Sequence, residues 1–168
     1  MMTIYILRHG IAEDPTPLRG KKDSERALTA EGRQKLRRVA RAMQAMELEF
    51  DRILSSPLVR ARQTAEIMAE VLNLRDKLEL RDELAVDGEA RELIAHLKQI
   101  RPAPANVLLV GHEPYLSSLI SLLLAGNPEL GITLKKGGLG KLSVKVLRAG
   151  RCATLDWLLT PRQMGLMK

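Results

Sequence analysis

Thr3-Ile4-Tyr5-Ile6-Leu7-Arg8-His9-Gly10 sets an apolar, β-branched run directly against an arginine, a histidine and a glycine. A short run that is greasy at every position suits a strand covered on both faces, as strands of parallel sheets are. Asn106 to Val110 (NVLLV) repeats the pattern and breaks in the same way, into Gly111-His112-Glu113-Pro114. Asp51 to Ser55 (DRILS) is a third, less apolar run that ends in Ser56-Pro57. Between these runs the apolar period changes to that of a helix. Leu36, Val39, Ala40, Met43 and Met46 line one face, and Leu58, Ala61, Ala65, Met68 and Leu72 line a second. Ala90, Leu93, Ile94 and Leu97 give a third helix, and Tyr115 to Leu124 is apolar nearly all round, which predicts a buried one. Near the end, Leu139 to Leu147 alternates and can pair with Ala153 to Leu159 through a turn at Ala149 and Gly150. Alternating strands and helices predict an α/β fold: a three-layer sandwich with a mostly parallel central sheet, flanking helices and one antiparallel edge region.

The chain has 168 residues, which suits one domain over its whole length. Its composition, 45% hydrophobic and 28% charged, is that of a globular protein and excludes disorder as the main state. The net charge is +7, and it is concentrated. Arg19 to Arg41 holds nine bases and three acids, and Lys135 to Arg151 holds six bases and no acid. Anionic partners or substrates are expected from such segments. One Trp, one Phe and two Tyr provide few platforms for stacking bases, which argues against nucleic acid as the anion. The single cysteine, Cys152, has no partner for an internal disulfide and suits a reducing compartment. Met1 to Leu7 has no basic leader region, and Leu116 to Ala125 is interrupted by serines and far short of the roughly 20 residues of a membrane span. A cytoplasmic protein with no membrane partner is expected. Asp14 to Lys22, with Pro15, Pro17 and Gly20, reads as one exposed loop overhanging the end of the first strand.

Ligands of open parallel sheets bind beyond the carboxyl ends of the strands, and here all three strand ends carry groups fit for phosphate chemistry. Arg8 can fork onto two phosphate oxygens, His9 can attack, and Gly10 lets backbone approach an anion. Ser56 is a good N-cap, with Pro57 pre-set for the first helical position. Arg60 then falls in the first turn, where the helix dipole disfavours a lone cation and a bound anion reverses the sign. His112 occupies the third strand end. Any one of these residues alone reads as an ordinary solvated or core side chain; together they form a set.

Leu7-Arg8-His9-Gly10, Ser55-Ser56-Pro57 with Arg60-Ala61 and Gln63-Thr64-Ala65, and Val110-Gly111-His112-Glu113-Pro114 resemble the motifs of the histidine phosphatase superfamily. The short length, the Gly-His-Glu-Pro form and the closing Leu158-Leu159-Thr160-Pro161 are most similar to its SixA-type phosphohistidine phosphatases. The resemblance implies a phosphoglycerate-mutase-like fold. It also implies that His9 is transiently phosphorylated while Arg8, Arg60 and His112 bind the transferring group, with Gly10 and Ser56 lining the site. The implied partner is a protein carrying phosphorylated histidine, on a phosphorelay or phosphotransfer protein. Two nearby arginines should lower the pKa of His9, keeping it a neutral nucleophile. Bound phosphate acts oppositely on His112, whose protonated form would join Arg8 and Arg60 in neutralising the equatorial oxygens. With those cations in place no metal or other cofactor is required, and His9, His96 and His112 show no close metal-ligand spacing.

A proton donor is harder to find. Longer mutase-like relatives carry a glutamate on an inserted helical region for which this chain has little room. Glu113, directly after His112, and Glu83, in Arg81-Asp82-Glu83, are the candidates. An imidazole leaves as a base of pKa about 6.5, whereas an alkoxide resembles hydroxide, conjugate base of water at about 15.7. Phosphohistidine therefore fits a site without a strong acid. A small-molecule phosphomonoesterase and a non-catalytic phosphoprotein-binding module are the alternatives. Gly137-Gly138-Leu139-Gly140-Lys141 fails the P-loop spacing and reads as a turn into a strand. Arg33, Lys35, Arg37, Arg38 and Arg41 read as a solvated helix face, and His96 as a surface residue.

Overall fold

The computed structural model describes residues 1–15 and 22–167. Six strands form one sheet: β1 (Met2–Arg8), β2 (Arg52–Ser55), β3 (Leu78–Leu80), β4 (Asn106–Gly111), β5 (Leu139–Val144) and β6 (Ala153–Leu159). Their order is β3-β2-β4-β1-β5-β6. The first four run parallel, whereas β5 is antiparallel to both β1 and β6. The sheet is thus the mostly parallel one expected, with its antiparallel part at one edge.

Alternation along the strands divides the core in two. Tyr5, Leu7, Ile53, Leu108 and Val110 face α1 (Ala30–Ala45) and α2 (Val59–Val71). Ile4, Ile6, Leu54, Val107 and Leu109 face α3 (Ala90–Gln99) and α4 (Tyr115–Ala125). Both faces are covered, which is why these strands are apolar at every position. Thr29 caps α1, its hydroxyl accepting from the Gly32 amide at 2.9 Å. Gly126, in the left-handed region at φ 81°, ends α4.

Several boundaries differ from the sequence reading. Met46 follows α1 as a half-buried cap rather than a core position. β5 ends at Val144, not Leu147, so its link to β6 is longer than a tight turn. β3 and the short α5 (Pro161–Met164), held by a capping box between Thr160 and Gln163, had no expected counterpart. The exposed loop expected over Asp14 to Lys22 lies mostly outside the described residues. Among the described residues no helix is long and apolar enough to cross a membrane.

Candidate active site

Strand register assembles the site. Arg8 of β1 pairs with Gly111 of β4, and Ser55 of β2 pairs with Val110, so the three strands end level. The ladder runs one bond further at each tip: the His9 amide donates to the Gly111 carbonyl and the Ser56 amide to the Val110 carbonyl, both at 3.0 Å. His9, Ser56 and His112 therefore emerge side by side, and the two imidazole centroids stand 5.2 Å apart. His9, Arg60 and His112 are only 6%, 4% and 1% exposed.

His9 Nδ1 lies 2.7 Å from the Gly10 carbonyl oxygen. A carbonyl only accepts, so in the neutral ring Nδ1 carries the hydrogen and Nε2 keeps its lone pair. The pKa of His9 is pushed down to about 4, chiefly by burial. The Gly10 carbonyl opposes this shift, while the charges of Arg60, Arg8 and Lys136 add to it. Burial thus outweighs the arginines that the sequence reading made responsible. His112 falls to about 3, by burial first and then by Arg60 and His9, with Asp23 pulling the other way. The unliganded protein holds His112 neutral; the protonated form expected from the sequence requires an anion beside it. His112 Nε2 bonds the Ser56 hydroxyl at 2.7 Å.

Ser56 is not an N-cap. α2 begins at Val59 with Leu58 as its cap, and the Ser56 hydroxyl accepts from the Leu58 amide at 3.2 Å while serving His112. Arg60 still falls in the first turn. Gly10 also has a packing reason to lack a side chain: a Cβ there would stand 2.6 Å from Leu36 Cδ1, and the buried Leu36 would have to shift to admit one. Its amide donates to the Thr64 hydroxyl of α2 at 3.1 Å.

Neither carboxylate singled out as a proton donor is idle. Arg81 grips Glu83 through Nε at 3.1 Å and Nη2 at 2.7 Å, and this hydrogen bonding holds the Glu83 carboxyl below its usual range despite partial burial. Glu113 accepts from the Ser117 amide at 2.8 Å, satisfying an orphan donor of the first turn of α4. His96, expected at the surface, is half-buried with Nε2 3.9 Å from Glu79.

A carboxylate that does reach the site is that of Asp23, which the sequence reading missed. It sits on a 3-10 turn, Asp23–Glu25. Its carbonyl accepts from Arg60 Nη1 at 2.9 Å, and its Oδ2 lies 3.2 Å from Arg60 Nη2. Arg26 Nε holds Oδ1 at 2.8 Å. Partial burial pulls its carboxyl up, but the Arg26 hydrogen bond and the two guanidinium charges keep it below the usual range. One acid within a basic run reads as solvated charge, and no period links position 23 to position 60.

Around His9 the donor set is incomplete. Arg8 donates through Nη1 to the Leu134 carbonyl at 3.0 Å, yet Arg8 Nε, Arg60 Nε and His112 Nδ1 are buried with no hydrogen-bond partner among the described residues. Buried donors are nearly always paired, and an anion seated among these groups would give the guanidinium nitrogens an acceptor.

The chain and its fold are similar to those of known proteins. A profile of the histidine phosphatase superfamily (branch 1) matches residues 4–86. The phosphohistidine phosphatase SixA of Escherichia coli K12 is 30% identical over 168 residues, covering 99% of both chains. An uncharacterized protein of Picosynechococcus is 37% identical over 139 residues, 82% of each chain. The structure of a protein histidine phosphatase SixA complexed with tungstate superposes with a TM-score of 0.83 at 28% identity, covering 96% of this chain and 98% of that one. A phosphoserine phosphatase of Entamoeba histolytica, at 20% identity and a TM-score of 0.71, shares the fold. With a full-length relative and a matching profile behind the strand-tip set of Arg8, His9, Arg60 and His112, this chain belongs to the histidine phosphatase superfamily, as a SixA-like hydrolase.

Proposed function

We propose that the protein is a phosphohistidine phosphatase that takes the phosphoryl group from a phosphohistidine on a phosphorelay or phosphotransfer protein onto His9 and passes it to water. The observation that supports this reading is a set of three buried nitrogens without a partner among the described residues, Arg8 Nε, Arg60 Nε and His112 Nδ1, on side chains around a histidine whose Nε2 keeps its lone pair. The tungstate held by the SixA relative, a tetrahedral oxyanion, supports an anion of phosphoryl size at such a site. Arg8 and Arg60 bind equatorial oxygens while Nε2 attacks in line, so positioning and electrostatics supply the catalysis. An arriving dianion also favours protonation of His112, adding a third positive donor. No metal or cofactor enters the scheme.

Phosphohistidine is favoured over alkyl phosphates because the carboxylates singled out near the site are engaged as acceptors: Glu83 by Arg81, Glu113 by the first turn of α4, and Asp23 by two arginines. An imidazole departs without a proton donor and an alkoxide does not. A protein-borne substrate is supported by an open groove of about 700 Å³ that runs from Arg8 past Lys35, Lys135, Lys136 and Arg162. Rates on a phosphohistidine protein, an aryl phosphate and an alkyl phosphate test the reading. The alkyl ester should be slowest, and His9→Ala should abolish both turnover and phosphate labelling of the enzyme. A faster alkyl ester would favour a small-molecule phosphomonoesterase, and binding without turnover a phosphoprotein-binding module.

A further inference from the structure

We propose that Asp23 is the base that activates water when phosphorylated His9 is hydrolysed, an inference that rests on the covalent reading above. The two halves of the reaction make different demands. In the first, an imidazole leaves and little proton transfer is needed. In the second, neutral water must attack phosphorus, and a base that accepts its proton as the bond forms lowers the barrier. His9 cannot be that base, since its Nε2 then carries the phosphoryl group. His112 is engaged as a donor to the phosphoryl oxygens. Glu83 and Glu113 are committed to Arg81 and to the amide of Ser117.

Asp23 meets the remaining requirements. Its Oδ2 and its carbonyl engage the two Nη atoms of Arg60, while Arg60 Nε is left over for an oxygen of the phosphoryl group. One guanidinium thus holds the carboxylate on one side and the reacting group on another. Arg26 fixes the second carboxylate oxygen and is itself anchored, through Nη1, to the Glu13 carbonyl at 2.9 Å. The carboxylate is 55% exposed although Arg60 is 4% exposed, so water reaches Asp23 at the mouth of a buried site. Paired with two cations, Asp23 is suited to accept a proton rather than to donate one.

The step balances. The water oxygen forms a bond to phosphorus as the bond from phosphorus to His9 Nε2 breaks, and that electron pair returns to the ring, leaving it neutral with hydrogen on Nδ1. One water proton passes to Asp23 and from there to the departing phosphate. The products are neutral His9, ionised Asp23 and dihydrogen phosphate.

Pre-steady-state hydrolysis of p-nitrophenyl phosphate separates the halves, because nitrophenolate leaves without an acid. Asp23→Asn should release one equivalent of nitrophenolate per enzyme at close to the wild-type rate and then turn over on the order of 100-fold more slowly. Alkaline quenching should trap phosphate on His9 of that variant. Asp23→Glu, which keeps the carboxylate, should restore most of the turnover. If Asp23→Asn slows the burst and the steady state alike, Asp23 only orients Arg60 and the proposal falls. Unchanged turnover would also overturn it. Should neither enzyme ever carry phosphate on His9 while His9→Ala still turns over, the covalent reading itself fails first.

Discussion

Arg60 reaches its place with one hydrogen of each terminal nitrogen engaged by Asp23 and with Nε unpartnered, so its worth to the reaction lies in the preorganised donors that remain. Arg60→Ala should cost about 3 kcal/mol of transition-state stabilisation, the scale of a lost oxyanion donor, read as a fall in kcat on an aryl phosphate. Arg60→Lys should not restore it, because an ammonium cannot hold Asp23 and an anion on separate edges. At this scale the set of Arg8, His9, Arg60 and His112 was legible, since each follows a strand end or opens a helix and so carries a positional signal. Asp23 was not. Its meaning comes wholly from a contact across 37 positions with Arg60, and nothing in its neighbours marks it as different from any other exposed acid.

Elements show where local pattern and tertiary demand part. Ser56-Pro57 has the chemistry of a helix start, yet α2 waits until Val59, and the Ser56 hydroxyl is shared between the Leu58 amide and His112. β3 was illegible for another reason: three residues, Leu78, Glu79 and Leu80, give no period, and they become a strand only because the edge of β2 offers them a ladder. The reverse case is Glu113, which beside His112 looks like chemistry and in the fold serves α4. Glu113→Ala should remove that cap at a cost of about 1 kcal/mol, lowering Tm by roughly 3 °C in a domain of this size. The ratio of rates on phosphohistidine protein, aryl phosphate and alkyl phosphate should stay as in the wild type. A selective loss on the alkyl ester would return Glu113 to the role of proton donor.

Across the whole molecule, two buried neutral imidazoles make the fold sensitive to acid well above the carboxylate range. In the unfolded chain both titrate near 6.5, whereas folded His9 and His112 do so at about 4 and about 3. Between these limits the unfolded state binds protons that the native state refuses, so stability falls as pH falls. The loss is about 1.4 kcal/mol per pH unit for each imidazole. Asp23 and Glu83, whose folded pKa values are depressed, add their loss only lower down, as pH drops through the carboxylate range. Urea midpoints measured from pH 7 to pH 5 should drop steeply, and His9→Gln should remove about half of the slope; a flat profile would mean that the rings are not held neutral. The parallel sheet was readable because its apolar runs are uniform, but the same uniformity has a cost for accuracy. A two-residue slip of β1 against β4 would leave each of their buried residues on its own face while carrying His9 about 6.6 Å from its place. Facial alternation alone therefore does not fix where the site sits, and side-chain packing must help to set it. Packing shares that task with the polar stitches beyond the strand ends, His9 to Gly111 and Ser56 to Val110, joined by the Arg8 amide to the Gly138 carbonyl at 3.1 Å. The strand tips, together with the packed interior, are the ruler against which the chemistry is measured.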